Sequence, residues 1–372
     1  MSISGLTLRD FRNYERAQLT LGERLTVVVG PNGAGKTNLL EALYFGCTAR
    51  SPRTSNEREL IRRGQSTTRV TVTHEDADGA THLIEVGFSA GEPKRLRLDG
   101  APVDALSAGV DRPLVSVFLP DRLALVKGPP APRRAHLDHL VAALWPARSG
   151  ARSAYSQALA QRNALLGRVR SGAVARNALA PWEQTLARHG IELMGSRAEA
   201  AELLAGPFAE QAVALGLPGD AQLVYRPRSP ATEPAALEAE LRERRGADVE
   251  RGFTAHGPHR DELRLLQGGE SLRSYGSQGQ QRATLLALLL GERDLLERER
   301  GSAPVMLLDD VMSELDGERR ELLAARLTAS GQALLTATGV DHVPIAGSDE
   351  VMLVEVGAGT VLDHPGTASP HT

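Results

Sequence analysis

The run Gly30-Pro31-Asn32-Gly33-Ala34-Gly35-Lys36-Thr37 has the residue types and spacing of a phosphate-binding loop. Its glycines let successive backbone N–H groups turn inward around phosphate oxygens. Lys36 is placed to reach the β- and γ-phosphates and the Thr37 hydroxyl to ligate Mg²⁺. Asn38 continues into a helix whose N-terminal partial charge favours the same anion. A second stretch, Val305-Met306-Leu307-Leu308-Asp309-Asp310, is an apolar strand ending in two acids. Asp309 suits a water-mediated Mg²⁺ contact, and Asp310 is placed to orient or deprotonate an attacking water. Many strands end in aspartate, so this signal gains meaning from its pairing with the loop. Together they predict binding and hydrolysis of ATP, with Lys36, Asp309 and Asp310 as the catalytic set and Thr37 and Asp309 as the Mg²⁺ set.

The run Ser277-Gln278-Gly279-Gln280-Gln281 opens a predicted helix shortly before the acidic strand. Taken alone, Ser277 reads equally well as a plain helix cap. In order after the loop and before the two acids, Ser277, Gly279 and Gln280 read as the short polar signature that separates ABC-type ATPases from other P-loop enzymes.

These residues need a scaffold. Leu6 and Leu8 alternate with polar residues, and the β-branched run Leu25 to Val29 predicts a buried strand leading into the loop. After Thr37, the positions Leu39, Leu40, Leu43 and Tyr44 trace one helix face. Val70 and Val72, then Leu83, Ile84 and Val86, then Leu96 and Leu98, then Leu114 to Phe118 predict a mostly antiparallel strand region, with turns at Asp78-Gly79 and Asp99-Gly100. Beyond Gly128-Pro129-Pro130-Ala131-Pro132 the texture becomes helical, marked by Leu137, Leu140, Val141 and Leu144. Alanine-rich segments continue to about Gly216, and Gly, Pro and Arg interrupt the pattern between Leu217 and Pro234. From Phe253 alternation returns: a helix from Gly279 to about Glu299, a strand Val305 to Leu308, a helix from Gly317 and a strand Ala333 to Thr336. The predicted class is α/β, an ABC-type P-loop ATPase lobe (1–120 and 251–363) with a β-rich appendage and an inserted, mainly helical second lobe (121–250). The tail 364–372, rich in Pro, His, Ser and Thr, is expected to be disordered.

The chain of 372 residues carries a net charge of -3, so attraction to nucleic acid must come from a local basic surface. Of its 43 basic residues only Lys36, Lys94 and Lys127 are lysine. A GC-rich genome explains that bias as well as function does. The candidate basic clusters are Arg50 with Arg53, Arg62 with Arg63, and Lys127 with Arg133 and Arg134; each is open to two readings, phosphate contact or solvated face. The single cysteine, Cys47, suits a buried small hydrophobe and a reducing compartment. The start lacks a signal-peptide pattern and the longest apolar run is too short to span a bilayer, which predicts a cytoplasmic, soluble protein with no membrane partner. His256 and His259 have a spacing that invites a metal reading, but no cysteine or third histidine stands near them, and a turn or lobe junction is favoured.

The sequence resembles the ABC ATPases of DNA maintenance, and within them the RecF family of bacterial recombination mediators. The resemblance spans nearly the whole chain. It is carried by Phe11-Arg12-Asn13-Tyr14, the loop Gly30 to Thr37, Ser51-Pro52-Arg53-Thr54, Gly257-Pro258-His259-Arg260-Asp261, Ser277 to Arg282, and Leu308 to Asp316. It implies roles in DNA replication, recombination, repair and the SOS response to DNA damage. It also implies a head-to-tail homodimer in which each ATP lies between the loop of one subunit and Ser277, Gly279 and Gln280 of the other. By the same resemblance Arg12 sits near the nucleotide, Ser313 to Asp316 link the two sites, and the partners are DNA, RecR and, indirectly, RecO and RecA. Two departures stand out: Asp310 occupies a position where many ABC proteins have glutamate, and the switch histidine is absent from Ala333 to Thr338, leaving Thr338 as a candidate. No residue is assigned to the Gln-loop.

Two other functions fit an ABC module: the nucleotide-binding subunit of a membrane transporter, and a nuclease. In a transporter subunit loop and signature lie close together, whereas here a whole lobe separates Thr37 from Ser277. A nuclease needs further clustered acids, and little chain follows Asp310. A DNA-clamping ATPase with slow turnover is the expectation that remains.

Overall fold

The computed structural model describes residues 1–106, 112–344 and 351–362. The tail expected to be disordered lies outside the described residues. The chain divides into two compact units, Met1–Arg122 with Ala214–Gly216 and Leu296–Thr372, and Leu123–Val213 with Leu217–Leu295. No helix among the described residues is long and apolar enough to cross a membrane.

The first unit opens with β1 (Ser2–Phe11), β2 (Tyr14–Thr20) and β3 (Leu25–Val29), followed by α1 (Lys36–Thr48). Then come β4 (Thr67–Glu75), β5 (Thr81–Ser89), β6 (Arg95–Leu98), β7 (Ala101–Val103) and β8 (Val115–Phe118). Strands β1, β2 and β4–β7 form one antiparallel sheet in the order β2-β1-β4-β5-β6-β7. Its period-two pattern buries one face: Leu6, Leu8, Val70, Val72, Ile84 and Val86 join Leu39, Leu43 and Phe45 of α1 in one core. Cys47 belongs to that core, and burial pushes its thiol up to about 12.

The second unit is helical at first, with α2 (Ala124–Lys127), α3 (Pro130–Leu144), α4 (Gly150–Arg170) and α5 (Ala180–Ala214). Strand β9 (Ala221–Arg226) follows, hidden in the sequence by flanking Gly, Pro and Arg, then α6 (Pro234–Glu243) and α7 (Arg245–Arg251). Strand β10 (Glu262–Gln267) pairs antiparallel with β9 and with β11 (Glu270–Ser271); α8 (Leu272–Tyr275) and α9 (Gln278–Arg300) complete the unit's elements. The chain after Phe253 therefore does not return directly to the ATPase sheet, and residues 251–295 group with the helical unit rather than with the lobe the sequence suggested. The cause is local. Besides the β9–β10 ladder, Arg133 forks onto Glu262 and Arg197 donates to the Pro258 carbonyl and to Asp261.

The first unit resumes with β12 (Val305–Leu308), α10 (Gly317–Ala329), β13 (Ala333–Ala337), β14 (Val351–Gly357) and β15 (Thr360–Leu362). The second sheet of this unit has the order β15-β14-β3-β13-β12-β8, parallel except for β15. Strand β8, expected among the antiparallel strands, pairs parallel with β12 instead. Its residues Ser116, Val117 and Phe118 are buried in succession, the signature of a strand covered on both faces. The buried Gln332 side chain accepts from the Ile3 N–H at 2.8 Å and donates to the carbonyls of Ile3 and Gly22, tying the entrance of β13 to β1 and to the β2–β3 connection.

Candidate nucleotide site

Parallel strands end on the same edge of a sheet, and ligands of open α/β sheets gather there. Strands β3, β13 and β12 are neighbours, so the loop after β3, Thr336 near the end of β13 and Asp309 after β12 converge. Gly33 and Gly35 adopt φ of 81° and 116°, values that side-chain-bearing residues rarely take. A Cβ on Gly35 would stand 2.6 Å from Asn13 Nδ2 and 2.7 Å from the Tyr14 hydroxyl, so only glycine fits the floor of the loop. Asn13 braces it from below: Nδ2 donates to the Ala34 carbonyl at 3.0 Å, and Oδ1 accepts from Asn38 at 2.8 Å. Lys36 lies across the loop, with Nζ 2.7 Å from the Gly30 carbonyl and 3.1 Å from that of Pro31.

The Thr37 hydroxyl lies 2.9 Å from both Asp309 carboxylate oxygens, and Thr336 Oγ1 donates to Asp309 Oδ1 at 2.8 Å. Burial pushes the Asp309 carboxyl above the usual carboxylate range. The Thr336 and Thr37 hydroxyls and Arg53 pull the other way, and the neighbouring Asp310 charge adds to the rise. A desolvated carboxylate beside a threonine hydroxyl is a hard oxygen donor set, which fits Mg²⁺. Asp310 takes a left-handed backbone conformation, φ 49° and ψ 28°, and its N–H donates to Thr336 Oγ1 at 2.9 Å. Thr336, unmarked in the sequence, thus positions both acids.

A second residue escaped sequence reading. Glu41, buried one turn along α1 from Thr37, accepts a two-pronged bond from Arg12 at 2.7 and 2.8 Å, another from Ser51 at 2.6 Å and another from Arg53 at 3.0 Å. Burial alone would raise its carboxyl, but the Arg12 and Ser51 hydrogen bonds and the Arg12 and Arg53 charges hold it below the usual range. The blocks Phe11–Tyr14 and Ser51–Thr54 meet on this carboxylate, and Arg53 also donates to Asn38 at 2.9 Å.

In the second unit Ser277 and Gln280 cap α9 reciprocally: the Ser277 N–H donates to Gln280 Oε1 at 2.8 Å, and the Gln280 N–H donates to Ser277 Oγ at 3.3 Å. Ser277 is exposed and Gly279 and Gln280 half-buried, so the cap leaves the helix start open to a ligand. Cap and signature are both compatible with this geometry. His256 pairs with Glu240 at 2.5 Å. His259 accepts from the Tyr155 hydroxyl at 2.8 Å through Nδ1 and donates through Nε2 to the Thr254 carbonyl at 2.9 Å, which gives both histidines protein partners at a junction of the unit.

The basic candidates part company. Arg50, Arg63 and Lys127 are exposed. Arg62 binds Asp10 at 2.8 Å, and Arg53 belongs to the Glu41 network. Arg133 is buried and forks onto Glu262, and half-buried Arg134 donates to the Asp261 carbonyl at 2.8 Å. The expected Lys127–Arg133–Arg134 cluster is therefore not an exposed one: Arg133 is a tie within the second unit.

The family described as the RecF/RecN/SMC N terminal domain matches residues 2–356. The chain is 38% identical over 365 residues to the DNA replication and repair protein RecF of Streptomyces avermitilis, covering 92% of this chain and 95% of that one. It is 39% identical over 360 residues to the protein of the same name from an Anaeromyxobacter species, covering 94% and 96%. A solved structure of the recombination mediator protein RecF with ATP, in the RecFOR pathway, superposes with a TM-score of 0.85 at 26% identity, covering 97% of this chain and 96% of that one. An Smc head bound to the C-winged helix domain of ScpA has a TM-score of 0.58 at 16% identity, covering 97% and 96%, a likeness of fold.

Proposed function

Because this chain belongs to the RecF family of DNA replication and repair proteins, we propose that it binds ATP at the loop Gly30–Thr37 and uses the bound nucleotide to close a homodimer on DNA. The observation that carries this reading is the apposition of Thr37 and Asp309 at 2.9 Å beside a loop that only glycine can floor. Mg²⁺ held by Thr37 and Asp309 would offset the phosphate charge that develops as the terminal phosphoryl group leaves. Lys36 exchanges its two carbonyl partners for phosphate oxygens, and Asp309 keeps its orientation through Thr336. Asp310 orients the attacking water and accepts its proton. Its reach is one methylene shorter than a glutamate's, which supports slow hydrolysis that times release.

Ser277, Gly279 and Gln280 of one subunit complete the nucleotide site of the other, since the capped start of α9 keeps Ser277 exposed where the helix N-terminus favours an anion. The closed dimer grips duplex DNA near a single-strand junction and, with RecR and RecO, assists RecA loading. These finer roles rest on family membership, which also displaces the transporter and nuclease alternatives. Calorimetric titration tests the base of the reading: Lys36→Met should lose ATP binding, and unchanged affinity overturns the site. Fluorescence anisotropy with duplex, single-stranded and gapped DNA tests the rest: DNA binding should require ATP, and absence of DNA binding at low salt under every nucleotide condition overturns the DNA role.

A further inference from the structure

The outward face of the antiparallel sheet carries a feature that the nucleotide site does not use. Arg9 of β1 stands directly opposite Arg16 of β2 on one side and Arg69 of β4 on the other. The same row continues through Gly87 of β5 to Arg95 of β6. Partners in an antiparallel ladder point to the same face, and all four arginines are exposed: Arg9, Arg69 and Arg95 at 67%, 65% and 77% of their side chains. The row spans four interstrand steps of about 4.8 Å, roughly 19 Å in all. Gly87, between Arg69 and Arg95, contributes no side chain.

Like charges placed directly opposite one another destabilise a sheet. Three consecutive arginines across β2, β1 and β4 therefore oppose folding, and the nearby acids do not cancel them. Glu85 reaches Arg69 at 4.0 Å, Asp10 is 4.0 Å from Arg9 but 2.8 Å from Arg62, and Glu92 holds Arg95 at 2.9 Å. The adjacent row on this face runs Gln18, Thr7, Thr71, Glu85 and Arg97, hydrogen-bonding side chains with one acid and one further arginine. We propose that this arginine row is a phosphate-backbone contact surface for duplex nucleic acid. Duplex DNA carries about one negative charge per 1.7 Å of axis, so a stretch as long as the row offers more charges than it has arginines. Arginine forks flanked by threonine and glutamine suit phosphate and sugar oxygens without reading bases. A lipid surface fits less well, since Arg9 and Arg16 have polar neighbours in place of apolar anchors. The proposal rests on the DNA-binding reading above and supplies a surface for it outside the basic clusters seen in the sequence.

The test uses the full chain with ATP and fluorescently labelled duplex across a salt series. R9Q/R16Q/R69Q/R95Q should bind at least tenfold more weakly at moderate salt. Its slope of log affinity against log salt should be shallower by about three to four, at about 0.9 per lost phosphate contact. R9Q/R69Q should show about half that change, and R24Q/R58Q, an equal loss of charge at exposed positions elsewhere in the unit, little. ATP affinity should match the parent in every variant, which reports a folded site. If the parent binds duplex and the fourfold variant binds with the same affinity and slope, or R24Q/R58Q loses as much as R9Q/R69Q, the row is not the contact surface. Row-dependent binding to anionic phosphatidylglycerol vesicles with row-independent duplex binding overturns it as well. If the parent binds no duplex at low salt, it is the DNA-binding reading itself that falls.

Discussion

Asp310 and Glu41 show how single carboxylates divide the work of the site. Asp310 sits at φ 49°, a region that aspartate and asparagine tolerate better than longer side chains. Asp310→Asn therefore changes charge with little change in backbone cost. It should abolish turnover in a steady-state phosphate-release assay and accumulate an ATP-bound dimer; turnover at the parent rate would show that another group polarises the water. Glu41 is fully buried while Arg12 keeps 18% exposure. Breaking a fully buried ion pair costs roughly 3–5 kcal/mol. Glu41→Ala should cost about 2–3 kcal/mol in urea unfolding, because Arg12 and Arg53 regain water. Asp309 acts in the opposite sense, since its carboxyl is raised by burial. The ionised form is disfavoured in the fold, so this residue's contribution to stability falls as pH rises from the usual carboxylate range through the raised value. Asp309→Asn should accordingly raise the Tm of the nucleotide-free protein while removing Mg²⁺-dependent hydrolysis.

At the level of elements, the motif-bearing segments were legible because their chemistry is local. A loop needs its glycines in sequence, and β12 needs only an apolar run before two acids. Glu41 and Thr336 were not legible, because neither type nor spacing marks them; they acquire roles through Arg12 and Asp309, which approach only when the sheets form. Strand β9 was masked by its flanks, and β8 was misplaced because an isolated apolar run does not say which sheet it joins. The types and spacing of Gly257 to Asp261 mark a turn or lobe junction but not its partners. His259 there is held neutral: burial, more than the Arg260 and Arg134 charges, lowers it to about 4, against the hydrogen bond to Thr254. A depressed histidine contributes stability that is present above its unfolded value near 6.5 and lost as pH falls toward 4, at a ceiling of about 1.4 kcal/mol per pH unit. Urea titrations between pH 7 and pH 5 should show His259→Gln losing less stability than the parent over that interval.

For the whole molecule, the loop and acids lie in one unit and Ser277 lies in the other, and the proposed dimer brings them together in trans. Ser277→Arg should bind ATP with near-parent affinity yet remain monomeric by light scattering; an unchanged nucleotide-dependent dimer would refute completion of the site in trans. Gln332 has a bearing on a different property. One amide side chain satisfies the Ile3 N–H, the Ile3 carbonyl and the Gly22 carbonyl, and so joins the parallel sheet to the first strand of the antiparallel one. If the two sheets parted, those three hydrogen bonds would be lost together, at about 0.5–1.5 kcal/mol each. The antiparallel sheet thus has no inexpensive route to local opening, and the amides of β1 should exchange with solvent deuterium at the rate set by melting of the entire first unit.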